Sequence, residues 1–231
     1  MSGKDILITL PKGPIRNTFF PAAVLNRLKE MAGYSFTWND TEDQFSEDEL
    51  KMKIAGKDAC IVNWGTRKIG KSILESAPNL KFIGVLGGSV KPYVEEDFFD
   101  CDDRVIVNSA DVMAKSVAEA VIAYILAAVR DIPYYDWGMK HGMLWRDDDF
   151  HNSGLFYKTI GLIGLGQVGR YVIRYLEPFD VKFLVYDPYV KNISGVADNI
   201  RFTELKELIS SSDIISIHAA QTKETYHMLG R

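Results

Sequence analysis

Three glycines in Gly164-Leu165-Gly166-Gln167-Val168-Gly169 stand at G-x-G-x-x-G spacing. That spacing alone arises by chance, so its surroundings decide. An apolar strand-like run, Thr159–Ile163, precedes it, and Gln167–Leu176 follows with helical spacing. A second strand-like run, Lys182–Tyr186, ends at Asp187. Strand, glycine turn, helix, strand and acid together form the unit that binds a dinucleotide. Gly164 permits the tight turn. Gly166 lets the backbone approach a pyrophosphate. Gly169 lets helix and strand close on each other. The N–H groups around Gln167 and Val168 lie at the positive end of the helix and suit phosphate oxygens. Asp187 can accept hydrogen bonds from both ribose hydroxyls and would repel a 2′-phosphate. Pro188, not an arginine, follows it, so NAD is expected over NADP. The plainer alternative is a βαβ unit with a glycine turn and a surface Asp.

Other candidate residues carry less chemistry. Cys60 and Cys101 fit neither a disulfide framework nor a C-x-x-C site, and read as buried thiols. Asp147-Asp148-Asp149 reads as a solvated loop, and no metal site is expected. His141, His151 and His227 lack a partner pattern for general-base work.

The elements that position the motif alternate along all 231 residues. Strand-like runs at Ile6–Leu10, Phe36–Trp38, Ala59–Val62, Leu80–Leu86 and Val105–Val107 are separated by helical stretches at Pro21–Met31 and Ser72–Ala77. Ser46 and Glu49 form an S-x-x-E box that starts a helix, and Ser116 with Glu119 form another. The second box is expected to open a helix from Val117 to about Arg130, apolar nearly all round and buried on most faces. Leu205–Ile209 reads as helix and Ile214–Ile217 as strand, with a short helix at Lys223–Leu229. Such alternation argues for an α/β fold with two parallel sheets. The boundary is placed between residues 112 and 113. Ala120–Val129 is the longest apolar run, and a membrane span needs about 20 residues, so no membrane partner is expected and the chain reads as cytoplasmic. Apolar residues at 47% and charged residues at 25% exclude a disordered or fibrous chain. A net charge of −4, with no run of Lys or Arg, argues against nucleic acid as a partner.

Four segments resemble the D-isomer-specific 2-hydroxyacid dehydrogenase family. They are Leu80–Ser89, Ser116–Glu119, Lys158–Gly169, and Ser212–His218 followed by Thr222–Thr225. The resemblance implies a flavodoxin-like substrate domain over 1–112 and a Rossmann NAD-binding domain over 113–231. It implies that backbone amides at Gly87, Gly88 and Ser89 hold the substrate carboxylate, with Gly88 also near the cofactor. It places His218 and Ala219 beside the cofactor, the contact being mainly backbone at Ala219. The chain departs from the family at Ser89, where a glycine is usual, at Lys91, where an Asp is usual, and at Ala219-Ala220, where a Pro is usual. The family's Arg and its His–Glu pair lie beyond the segment resembling Thr222–Leu229. No catalytic residue is therefore assigned, and the set is expected downstream of Arg231. The Rossmann domain reads as incomplete, lacking its fifth and sixth strands. The function implied is hydride transfer between NAD(H) and a small 2-hydroxy or 2-oxo acid, with little or no turnover by this chain. The alternative is a non-catalytic NAD-binding module, or a corepressor-like protein of the same fold. A homodimer, or association through the exposed edge at Ile214–Ile217, is the expected assembly.

Overall fold

The computed structural model describes residues 3–100, 103–143, 153–190 and 199–230. It divides into two compact units, Met1–Met113 and Ala114–Arg231. The first runs β1 (Lys4–Ile8), α1 (Pro14–Phe19), α2 (Ala22–Lys29), β2 (Tyr34–Trp38), α3 (Glu47–Ile54), β3 (Ala59–Val62), α4 (Lys71–Ser76), β4 (Phe82–Val85) and β5 (Val105–Asn108). A 3-10 turn at Glu96–Asp100 precedes β5. All pairings are parallel, in the order β2-β1-β3-β4-β5. That is the flavodoxin-like order. Leu7, Cys60 and Ile83 from the sheet are fully buried, and Leu50 and Ile54 of α3 and Ile73 of α4 pack with them. Burial pushes the Cys60 thiol well above its ordinary range, so it is an inert core residue. Cys101 lies outside the described residues.

The box at Ser46 does what its spacing requires. Its hydroxyl accepts the Glu49 N–H at 3.3 Å, and the Glu49 carboxylate accepts the Ser46 N–H at 2.8 Å. Two orphan N–H groups at the start of α3 are thereby satisfied. α1 is an addition to the sequence reading. It has only six residues, none of them buried, and so carries no apolar period.

The second unit begins within α5 (Ala110–Val129), followed by α6 (Ile132–Lys140), β6 (Thr159–Ile163), α7 (Gln167–Leu176), β7 (Lys182–Tyr186), β8 (Ile200–Phe202), α8 (Leu205–Ser211) and β9 (Ile214–Ile217). Its sheet is parallel in the order β8-β7-β6-β9. In local numbering this is 3-2-1-4, the first four positions of the doubly wound dinucleotide fold. β8, with three residues, is too short to register in the sequence. β9 lies on β6, Ile160 opposite Ile214 and Ile163 opposite Ile217. No described strand pairs with its far side, and Ile215 and Ile217 are exposed.

Three expectations are corrected. α5 starts at Ala110, seven residues before Val117. Asn108 Oδ1 accepts the Ala110 N–H at 3.2 Å and Ser109 O accepts the Met113 N–H at 3.0 Å, so the helix is started from the end of β5. Ser116 and Glu119 are exposed mid-helix residues that cap nothing. α5 is also not buried on most faces, since only Ala114, Ala118 and Ile125 are buried. By length and composition the helix could cross a membrane. Here its Ala118 and Ile125 pack into a core with Leu155, Ile160, Leu162 and Val172. Finally, Lys223–Leu229 is a set of turns, not a helix. Thr225 Oγ1 donates to Ala220 O at 2.7 Å and accepts the Thr222 N–H at 2.7 Å. Side-chain bonds of this kind compete with the helical ladder, and His227 ends the stretch at φ 55°.

The two S-x-x-E boxes make a direct test. Ser46→Ala is expected to destabilise the first unit by about 1 kcal/mol. Ser116→Ala is expected to be neutral or slightly stabilising, because alanine is the better residue inside a helix. Urea midpoints of the two variants report the difference.

Candidate functional site

The glycine turn sits where β6, α7 and the end of β9 converge. Gly164 has φ +94°, and a Cβ there would lie 2.7 Å from Ala219 N and 2.9 Å from His218 C. The backbone of β9 is drawn in because the His218 N–H donates to Ile163 O at 2.7 Å. A Cβ on Gly169 would lie 2.7 Å from Gly164 O, so the first turn of α7 presses on the loop. Gly166 is the opposite case, with nothing within 4 Å of the place a Cβ would take. Its free side is a place where another molecule can approach the backbone. α7 has no side-chain cap at its N-terminus. The N–H groups of its first turn, at Gln167 and Val168, are therefore available to an anion. Val168 meanwhile packs its side chain against the core.

Asp187 does more than its position at the end of β7 suggested. Its Oδ2 accepts the Leu165 N–H at 2.7 Å, and its Oδ1 accepts the N–H groups of Tyr189 at 2.8 Å and Val190 at 3.0 Å. The carboxylate thus ties the glycine loop to the turn after β7. Burial pushes the Asp187 carboxyl up, but the three backbone N–H groups and the charge of Arg170 outweigh it and hold the group below the ordinary carboxylate range.

A cavity of about 330 Å³ opens on these residues, lined by Gly164, Gly166, Asp187, Pro188, His218 and Ala219. The far wall comes from Thr222, Glu224, Thr225 and Met228, and Tyr186 and Tyr189 also line the cavity. None of these six is assigned to a site by the sequence reading. The available signal is T-x-E-T spacing, in which Thr222 Oγ1 donates to Glu224 at 2.7 Å and folds the segment on itself. His218 Nε2 lies 3.0 Å from Ser216 Oγ, and burial holds its pKa below the usual histidine value. The ring is neutral near pH 7 and is paired with a hydroxyl, not a carboxylate. His141 Nδ1 lies 2.7 Å from Trp137 O and the ring stacks on that indole. His227 rests against Tyr226. Among the described residues no histidine is ion-paired with a carboxylate and no group of three or more His, Cys, Asp or Glu could hold a metal. His151, Asp147–Asp149 and Arg231 lie outside those residues.

The Gly87-Gly88-Ser89 loop belongs to the first unit and follows β4. Gly87 O accepts the Ser109 N–H at 3.0 Å, and Gly88 O accepts from Asn108 Nδ2 at 3.2 Å. Ser109 Oγ also donates to Val85 O at 3.2 Å. The carbonyls of the loop are therefore held back by the residues that end β5. Nothing lies within 4 Å of the Cβ position on Gly88, so its backbone is open to approach. Lys91 is exposed and forms no ion pair among the described residues.

A parallel α/β sheet with an uncapped helix start, a side-chain-free loop and an acid at the next strand end defines a dinucleotide-binding protein. Residues 122–231 match the family described as D-isomer specific 2-hydroxyacid dehydrogenase, NAD binding domain. It is 35% identical to a glyoxylate reductase of Thermofilum pendens over 195 residues, 80% of this chain and 55% of that protein. It is 32% identical to a D-3-phosphoglycerate dehydrogenase of Methanocaldococcus jannaschii over 187 residues, 80% of this chain and 35% of that protein. The chain thus spans between about a third and just over half of the length of these curated relatives. Among solved structures, D-lactate dehydrogenase from Aquifex aeolicus complexed with NAD and lactic acid matches with a TM-score of 0.70 and 25% identity, covering 97% of this chain and 63% of that one. An acyclic imino acid reductase in complex with NADPH and D-Arg matches with a TM-score of 0.72 and 26% identity, covering 96% and 67%.

The two glycines make opposite predictions. Gly164→Ala forces a side chain into a left-handed backbone against Ala219, and is expected to destabilise the second unit by roughly 1–3 kcal/mol. Gly166→Ala is expected to leave the thermal midpoint unchanged and to weaken NADH binding by about tenfold or more, near 1.4 kcal/mol.

Asp187 predicts a pH dependence. Its carboxyl is depressed in the folded state, so its contribution is full above the unfolded value of about 3.9 and is lost as pH falls through the folded value. Asp187→Asn is expected to cost roughly 1–3 kcal/mol at neutral pH. The gap to the parent chain should close on acidification below that window, as read by urea unfolding at a series of pH values.

Proposed function

We propose that this chain forms the nucleotide- and substrate-binding parts of an NAD-dependent oxidoreductase acting on a small 2-hydroxy or 2-oxo acid. The observation that carries the reading is the pocket of the second unit, where an open Gly166 and the uncapped start of α7 face the same cavity as the ionised Asp187. A pyrophosphate suits the N–H groups of the first helical turn, and a ribose diol suits the remaining acceptor capacity of Asp187. Once bound there, NAD supplies the hydride acceptor or donor at its nicotinamide. Asp187 keeps the ribose end fixed, and the backbone at Ala219, pressed against Gly164, forms the opposite wall. The open face of Gly88, on a loop braced by Asn108 and Ser109, suits a substrate carboxylate held by backbone amides.

The pairing of His218 with Ser216 and of Glu224 with Thr222 favours a second reading for the polypeptide in hand, an NAD-binding chain without turnover. Neither group has the acid–base partner that proton transfer at C2 needs. Relatives named as glyoxylate reductase and D-3-phosphoglycerate dehydrogenase support the substrate class and not one acid within it.

Titration by intrinsic fluorescence is expected to give NADH binding at least about tenfold tighter than NADPH, because Asp187 accepts hydroxyls and repels a phosphate. Equal or tighter NADPH binding would sink the cofactor assignment. With glyoxylate, hydroxypyruvate or pyruvate added, NADH absorbance is expected to stay constant. Turnover abolished by a substitution among the described residues would instead place the acid–base groups in this chain.

A further inference from the structure

A second cavity, of about 340 Å³, lies wholly within the first unit, at the carboxyl ends of β1 and β3. The chain leaves β1 toward β2 on one side and later enters β3 on the other, so the sheet order reverses there. Crevices at such reversals are where open α/β sheets bind ligands. Neither the NAD pocket nor the Gly87-Gly88 loop uses this one.

Its frame is rigid and polar. Thr9, Asn39, Asn63 and Thr66 are the buried polar residues of the chain's described part. Thr9 Oγ1 donates to Ile61 O at 3.1 Å and lies 2.9 Å from Thr66 Oγ1. Asn39 Nδ2 donates to Thr9 O at 3.1 Å and to Asp43 O at 2.9 Å. Gln44 Nε2 donates to Asn63 Oδ1 at 3.2 Å and to Trp64 O at 2.8 Å. The loops after β1, β2 and β3 are thereby locked together around the cavity.

Two features of the lining are unfinished. Arg16 is half-buried, its Nη1 donates to Asn39 O at 2.8 Å, and its guanidinium lies 5.5 Å from the Trp38 ring centroid. It forms no ion pair among the described residues. Carbonyls orient a guanidinium without neutralising it, and a carboxylate is the planar anion its fork matches. Gln44 lines the same wall, and its Oε1 is buried behind that wall with no hydrogen-bond partner. The lining also carries the carboxylates of Glu42 and Asp43, which are exposed, and the half-open indole of Trp64. Cation and acids on one small cavity are complementary to a ligand that bears both charges.

We propose that this cavity binds a small zwitterion, an amino acid, with its carboxylate on Arg16, its ammonium toward the Glu42 and Asp43 side, and its side chain against Trp64. The site is separate from the NAD pocket, and its occupancy is read without coenzyme, so its failure leaves the oxidoreductase reading untouched.

Three ligands of one skeleton size test it: alanine, propionate and ethylamine, with leucine added for the Trp64 wall and inorganic phosphate for a bare anion. Binding is followed on the full chain by tryptophan fluorescence and by the indole N–H resonances, with Trp64→Phe assigning the signal. Saturable changes are expected with alanine and leucine, with propionate and ethylamine at least about tenfold weaker. Arg16→Gln should abolish the response while NADH binding by the second unit is retained. Because Arg16 also braces loops, Asp43→Asn serves as the milder variant, expected to weaken alanine and leave propionate unchanged. No saturable response to either amino acid, or an unaltered response in Arg16→Gln or Asp43→Asn, would overturn the proposal. Propionate or phosphate binding as tightly as alanine would overturn it as well, since it would make the site a plain anion site.

Discussion

The second unit depends on there being no side chain at Gly164. The backbone that leaves β9, at His218 and Ala219, runs through the space a Cβ would fill. Any other residue would push His218 and Ala219 away and break the 2.7 Å bond from His218 N–H to Ile163 O. Losing that bond would also open the cavity wall that Ala219 provides. Close packing of backbone therefore comes first, and the anion-binding geometry of the helix start follows from it. Gly169 serves the same packing from the helix side, whereas Gly166 is free of any packing duty. The glycine pattern thus contains two residues that packing requires and one that packing leaves open, which a pattern match cannot separate.

Asp187 stands at the second junction. A carboxylate has about four acceptor sites. Three N–H groups already occupy it, so a ribose diol bound as proposed would take what remains. The arrangement fixes the anion in place and keeps it ionised before any ligand arrives. On the proposed reading it also couples binding to stability, since removal of the carboxylate frees the Leu165 N–H inside the glycine loop. Loss of affinity in an Asp187 variant is consequently a sum of a lost contact and a loosened loop.

Much of this was legible in the residues. β3, β6, β7, β9 and α7 end where their apolar runs and breakers place them, because each is bounded by a glycine or a charged residue. The glycine loop and Asp187 were legible because their chemistry demands particular residue types at fixed spacing. What escaped was decided by individual hydrogen bonds that residue type and spacing do not announce. Ser116 and Glu119 have the spacing of a cap, yet Asn108 and Ser109 start the helix earlier from the end of β5. Lys223–Leu229 reads as a short helix, yet threonine hydroxyls close the segment into turns that line the cavity. Of the three bonds to Asp187, those from Tyr189 and Val190 are local to the turn after β7, but the one from Leu165 could not be foreseen, since that residue meets the acid only after β6 and β7 pair.

The two units solve the same problem in different ways. Each parallel sheet must end its strands in loops whose backbone polar groups still need partners. In the second unit the loops rely on backbone packed against backbone at the glycines and on the Asp187 carboxylate, which together leave a visible pattern. In the first unit more falls to side chains: Asn108 holds the Gly88 carbonyl, the Ser109 hydroxyl holds that of Val85, and Asn39, Thr9 and Thr66 hold the loops after β1, β2 and β3. An asparagine or threonine in such a place has no fixed spacing from its partner in sequence. Sites built that way stay hidden until the strands are ordered, which is why the cavity at Arg16 emerged from the fold and the one at Asp187 from the sequence.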